Sequence, residues 1–246
     1  MRLSKAWLIA SRDFKIFLRQ KSIWYSIIIF PVIISVLFPI IIMFAGQRNA
    51  GLIAAKNLPN LLNSFSFFVV IGAAFVPLGI ASYSIVGEKV EKSLEPLLAT
   101  PLTDGEILLG KAIAAVLPAI IAMYTGATVF MVGIDAVTVS KLGYNYFPNW
   151  TFGVMLLVLV PVAIVMSVLY SVIVSSKVND VRSANTYGIL IFIPLMAIYF
   201  ASEMGIISLD INGLLIIAAI LLAIDVALFF ISTATFRRED ILTKWR

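Results

Sequence analysis

The 246-residue sequence contains no cysteine and no histidine. Those two absences remove disulfides, thiolate chemistry and the commonest zinc ligands together. Charge is scarce as well: 13% of the residues are charged against 61% hydrophobic, too few polar side chains to cover a water-soluble surface. The chain also lacks a periodic repeat, a low-complexity tract and any linker long enough to separate soluble domains. What remains is a single all-α membrane domain over residues 1–246, with the bilayer as its solvent. The net charge of +5 then belongs to the membrane surface, so the expected partner is lipid and not nucleic acid.

The apolar residues fall in runs of about 20 or more, as a hydrocarbon core about 30 Å thick requires of a helix. They predict spans at 23–45, 62–86, 112–134, 151–175, 184–202 and 212–235. The fifth span is short and only residues 203–211 part it from the sixth, so a pair of re-entrant half-helices stands there as an alternative to two full crossings. Lysine and arginine set the orientation. Fifteen lie in residues 1–22, 87–111, 176–183 and beyond 235, and three (Arg48, Lys56, Lys141) lie in the alternate segments. This split predicts a multi-pass protein of the cell membrane with both termini in the cytoplasm.

Residues 1–22 resemble a secretory signal in charge, but the charged region is too long and the apolar run behind it too extended, so no cleavage is expected. At 100° per residue Leu3, Trp7, Ala10, Phe14, Phe17 and Leu18 share one face, with Lys5, Arg12, Lys15 and Arg19 opposite. That pattern predicts an amphipathic elbow helix in the headgroup plane.

The longest cytoplasmic connection is GEKVEKSLEPLLATPLTDGEILLGK, residues 87–111, the one loop rich in acids. Pro96 opens a helix more readily than it continues one, so a short helix is predicted from about Glu95 to just before Pro101. Thr103 and Glu106 then have the spacing of a capping box, which starts the helix entering the third span. Helix, break and capped helix make a rigid element whose apolar Leu97 and Leu98 fit docking on another protein. The run Gly105-Glu-Ile-Leu-Leu-Gly110-Lys111 has the spacing of a phosphate-binding loop. Residue 112 is alanine where magnesium needs a hydroxyl, and no strand precedes it, so nucleotide binding is not assigned here.

The run Glu88-Lys, Ser93-Leu-Glu, Leu97-Leu98, Thr100-Pro101-Leu102, Glu106-Ile107-Leu108 and Gly110-Lys111 resembles the signature between the second and third spans of the ABC type-two permeases. These are six-span exporter subunits that dimerise and dock on separate ATPase subunits. The resemblance implies a coupling helix over Leu94 to Leu102, including Glu95, Leu97, Leu98, Thr100 and Pro101, inserted into a groove of the ATPase. It places Glu88 at the base of the second span. It further implies two ATPase subunits per complex, a second permease as homodimer or heterodimer partner, and ATP and magnesium held by the ATPase, with no cofactor in this chain.

Within the spans one acid stands out, Asp225, near the middle of the sixth. An acid at the bilayer centre costs about 2.5 to 3.5 kcal/mol on insertion scales, so it should be paired, protonated or facing water. Ala218 and Ser232 share its face, which predicts a bundle-facing carboxyl bonded to a hydroxyl. Contact with substrate or proton and contact between helices are both open readings. Ser167, Tyr170, Ser171 and Ser175 form a polar stripe on the fourth span, readable as a transport path or as tight packing. Prolines in each of the first five spans imply kinks.

The function expected is that of an exporter permease without a catalytic site of its own. An ATP-independent secondary transporter is the alternative, and it would call for inverted repeats and more midplane ionisable groups. A membrane enzyme ranks last, since Asp225 has no second mid-membrane acid beside it.

Overall fold

A computed structural model describes residues 3–19, 21–48, 58–88, 100, 102–178 and 180–235. The elements are α1 (Leu3–Arg19), α2 (Lys21–Arg48), α3 (Leu58–Ser82), α4 (Asp104–Leu142), α5 (Trp150–Val154), α6 (Val160–Lys177), α7 (Val181–Gly188), α8 (Phe192–Glu203) and α9 (Ile211–Thr235). A π turn, Tyr83–Gly87, extends α3, and another, Met155–Leu159, joins α5 to α6. There is no strand among the described residues. Among the described residues six helical stretches are long and apolar enough to cross a membrane, one for each predicted span.

Composition and local signals account for most of the boundaries. The predicted capping box starts α4: Thr103 accepts from the Glu106 backbone N–H at 3.3 Å, and the Glu106 carboxylate accepts from the Thr103 N–H at 3.1 Å. This helix is 39 residues long and so reaches beyond the predicted 112–134 at both ends. Gly143, at φ 78°, ends it, and the Asp135 carboxylate near that end accepts from the Tyr146 and Phe147 N–H groups at 3.0 and 2.9 Å.

The fifth span is one crossing and not a pair of half-helices. Gly188, Ile189, Ile191 and Phe192 all keep right-handed helical torsions through the 3-10 turn Ile189–Ile191, so α7 and α8 continue in one direction. The reversal comes later, at Gly205 with φ 74°.

The centre of the bundle is α3 against α6, where Val70, Ala73, Ala74, Val76, Ala163 and Ile164 are fully buried. Around it α2, α8 and α9 turn outward sides of Ile, Leu, Val and Phe to the exterior, as lipid contact requires. Helices α2 and α4 meet closely. A Cβ on Gly126 would sit 2.6 Å from the Pro31 Cβ, and Ser35 Oγ donates to the Gly126 carbonyl at 2.6 Å. Small residues at such crossings let backbones approach.

Candidate functional site

A cluster of buried charged side chains lies at the two feet of the 87–111 loop. On α1, residues Ala6, Ile9, Ala10, Asp13 and Phe17 recur at helical spacing and are buried. They form the face that packs on α4. Gly110 makes the approach possible, because a Cβ there would stand 2.7 Å from the Ala6 carbonyl oxygen and 2.8 Å from Ile9 Cβ. Of the predicted apolar face, Ala10 and Phe17 are buried while Trp7 and Phe14 are exposed. A helix wedged between bilayer and protein has two apolar neighbours, and a single amphipathic axis does not tell them apart.

This docking brings Asp13 of α1, Glu88 beyond the π turn of α3, and Lys111 of α4 together, all three buried. Lys111 Nζ donates to Glu88 Oε2 at 2.6 Å, to the Ser84 carbonyl at 2.6 Å and to Asp13 Oδ2 at 3.3 Å. Ser84 Oγ lies at 3.4 Å as a fourth, longer contact, so the three donors of the ammonium group are all engaged. Arg12 closes the set from the outside. Its Nε and Nη2 donate to Asp13 Oδ1 at 2.9 and 2.8 Å, and Nη2 also donates to Glu88 Oε1. Each carboxylate thus bridges the same two cations, and two positive charges balance two negative ones. Ser84 lies within the π turn, a helix defect frequent at functional sites.

Buried ion pairs add little net stability but are costly to break, because the survivor is left as an uncompensated charge. Their value is registration: this network fixes α1, α3 and α4 relative to one another where the loop leaves and re-enters the bundle. Among the described residues no group of His, Cys, Asp or Glu is placed to hold a metal ion.

Of the residues predicted for this region, Glu88 is at the centre of the network. Thr100 and Leu102 are half-buried. Leu94, Glu95, Leu97, Leu98 and Pro101 lie outside the described residues. Asp13, Arg12 and Lys111 were not assigned from sequence, yet a signal was present: Asp13 is the only acid before Glu88.

The second predicted group is carried by α6 and α9. Ser167 Oγ donates to the Ala74 carbonyl of α3 at 2.5 Å and Tyr170 OH to the Tyr187 carbonyl of α7 at 3.2 Å. Both hydroxyls serve helix contacts, one with α3 and one with α7. Ser171 is buried and its hydroxyl has no partner among the described residues. Asp225 faces the bundle as predicted, but the expected hydroxyl bond is absent. Neither carboxyl oxygen has a hydrogen-bond partner among the described residues, and Ser232 donates instead to the Phe229 carbonyl at 2.9 Å. Ser232 and Phe229 are three residues apart, so the hydroxyl is taken by its own helix.

Residues 7–236 match the family described as ABC-2 family transporter protein. No curated protein gives a significant match.

Proposed function

The chain belongs to the ABC-2 transporter family, and from that premise we propose that it is the transmembrane permease subunit of an ATP-binding cassette exporter of the cell membrane. Family membership supports an ABC ATPase as partner, and the ATP and magnesium would be bound by that partner. Two ATPases and two permeases, alike or different, would form the complex, with both termini of this chain in the cytoplasm as the fifteen to three charge split indicates.

The observation that carries the reading is the Lys111–Glu88 contact of 2.6 Å, which joins the two ends of the loop that would dock on the ATPase. A slack surface loop has no use for a buried clamp at its feet. With the clamp, displacement of the loop moves α3, α4 and the elbow helix as one body. Leu97 and Leu98 would supply the apolar contact with the ATPase, and the Thr100-Pro101 break would keep the docked segment short. Further in, Asp225 and Ser171 carry buried polar groups that lack partners among the described residues, which supports a place beside the path opened in transport.

The experiment is reconstitution of the chain with a candidate ABC ATPase, sought first in the neighbouring reading frame. The pair should co-purify, and ATP hydrolysis by the ATPase should rise when the permease is present. A chain that transports without any ATPase would be a secondary transporter, and the proposal would fall.

A further inference from the structure

A slot of about 270 Å³ lies between α4, α6 and α9. It runs along α4 from Gly105 to Val116, a length of about 17 Å, with Val165 and Leu169 of α6 and Phe229 of α9 as its other walls. None of its lining residues carries a polar side chain. Leu109, Ala112 and Ile113 are only half-buried and Phe229 is exposed, so the slot stands open. Small-molecule pockets hold roughly 300–1,000 Å³, so this smaller space suits a few apolar side chains better than a whole ligand.

Lipid covers only part of this slot. At 39 residues α4 is about 58 Å long against a hydrocarbon core of about 30 Å, so its ends stand outside that core. Gly105, Leu108 and Leu109 precede Lys111 and belong to the cytoplasmic connection, since the third span is predicted to begin at residue 112. The inner half of the slot is therefore apolar surface that acyl chains do not reach and that water would otherwise wet. The chain itself supplies a cover. Helix α9 ends at Thr235, six residues or about 9 Å beyond Phe229, on the side toward which the slot runs from Val116 back to Gly105. Residues 236–246, outside the described residues, follow directly. Six of these eleven are charged, yet the run also holds Ile241, Leu242 and Trp245, with Ile241 and Trp245 at the four-residue spacing of neighbours on a helix. Even at helical rise the ten residues from Thr235 to position 245 reach about 15 Å, close to the length of the slot.

We propose that residues 236–246 dock back into this slot, with Ile241, Leu242 and Trp245 covering Leu109, Ala112 and Ile113. A segment tethered to the wall of its own site meets that site at a high effective concentration, an advantage that no separate partner has. Docked there, it would tie the sixth span to the turn of α4 that carries Lys111, and α9 would follow any movement of the loop's feet. The assignment rests on the cytoplasmic placement of both termini proposed above.

The test uses the full-length chain in lipid nanodiscs, without an ATPase, carrying the photoreactive residue benzoylphenylalanine at position 245, with adducts mapped by mass spectrometry. Adducts are expected mainly within the same chain, on Leu109, Ala112 or Ile113. Ile241→Gln together with Leu242→Gln, two changes outside the described bundle, should lower their yield several-fold. The proposal is overturned by adducts formed mainly with lipid, with a second copy of the chain or with other parts of this one. A yield that the double change leaves as it was would overturn it too. Maleimide labelling of cysteines at positions 141 and 177 in separate samples reports on the topology alone, so a failure of the cytoplasmic placement is told apart from a failure of the docking.

Discussion

Lys111 of α4 and Glu88, just past the π turn that extends α3, are held 2.6 Å apart, 23 residues from each other in the chain. Both side chains are buried, and Asp13 and Arg12 of the elbow helix complete the network. A balanced buried network resists the loss of any one member.

Lys111→Met should therefore leave Glu88 and Asp13 with Arg12 as their one remaining cation, so that one buried negative charge is uncompensated, at a cost of about 3 to 5 kcal/mol. Thermal unfolding in detergent should show a lowered midpoint. The double variant Lys111→Met with Glu88→Leu should be less destabilised than the two single changes added together, which is the mark of a coupled pair. Additive effects would mean that the contact does not hold the loop.

Gly110 is the point where the elbow helix touches α4. Gly110→Leu forces a side chain into the space of the Ala6 carbonyl and Ile9, and such overpacking costs about 1 to 3 kcal/mol unless α1 moves away. A cysteine at the fully buried Ala6 position, in a chain without other cysteines, should resist maleimide alone and react at least tenfold faster when Gly110→Leu is added. Unchanged labelling would contradict the packing.

Asp225 has no hydrogen-bond partner among the described residues, so its polar group is a burden on the fold. Leucine of similar bulk should relieve a penalty of about 1 to 3 kcal/mol. Asp225→Leu is predicted to unfold at a higher temperature than the parent while losing export, and Asp225→Asn to fold normally. Full export by Asp225→Leu would remove the residue from the transport path.

Topology is tested separately. Cysteines at positions 141 and 177 should be labelled by an impermeant maleimide from opposite sides of the membrane, because the charge split puts them there. Labelling from one side would contradict the six-span arrangement.

The spans were legible because hydropathy and length are local properties, and the start of α4 because a capping box needs only four residues. The elbow helix was legible as a helix, but which of its apolar residues pack on α4 was not. Trp7 and Phe14 meet the exterior while Ala6 and Ile9 meet α4, and only tertiary packing decides which apolar neighbour each residue has. The contact between Asp13 and Lys111 joins residues 98 apart and left a single trace in the sequence, an isolated acid in a basic helix. Asp225 was correctly read as facing the bundle. Its partner was not, since Ser232 lies on the same face but bonds to its own helix.

The most direct test of the central claim concerns where energy enters the permease. If the 87–111 loop docks on an ATPase, Leu98 supplies an apolar contact, and a charge placed there would stand unpaired in a buried interface. Leu98→Asp should then insert and dimerise as the parent does, but lose both co-purification of the ATPase and stimulation of ATP hydrolysis, at a cost of several kcal/mol in docking. A Leu98→Asp permease that still binds its ATPase and stimulates it normally would contradict the claim.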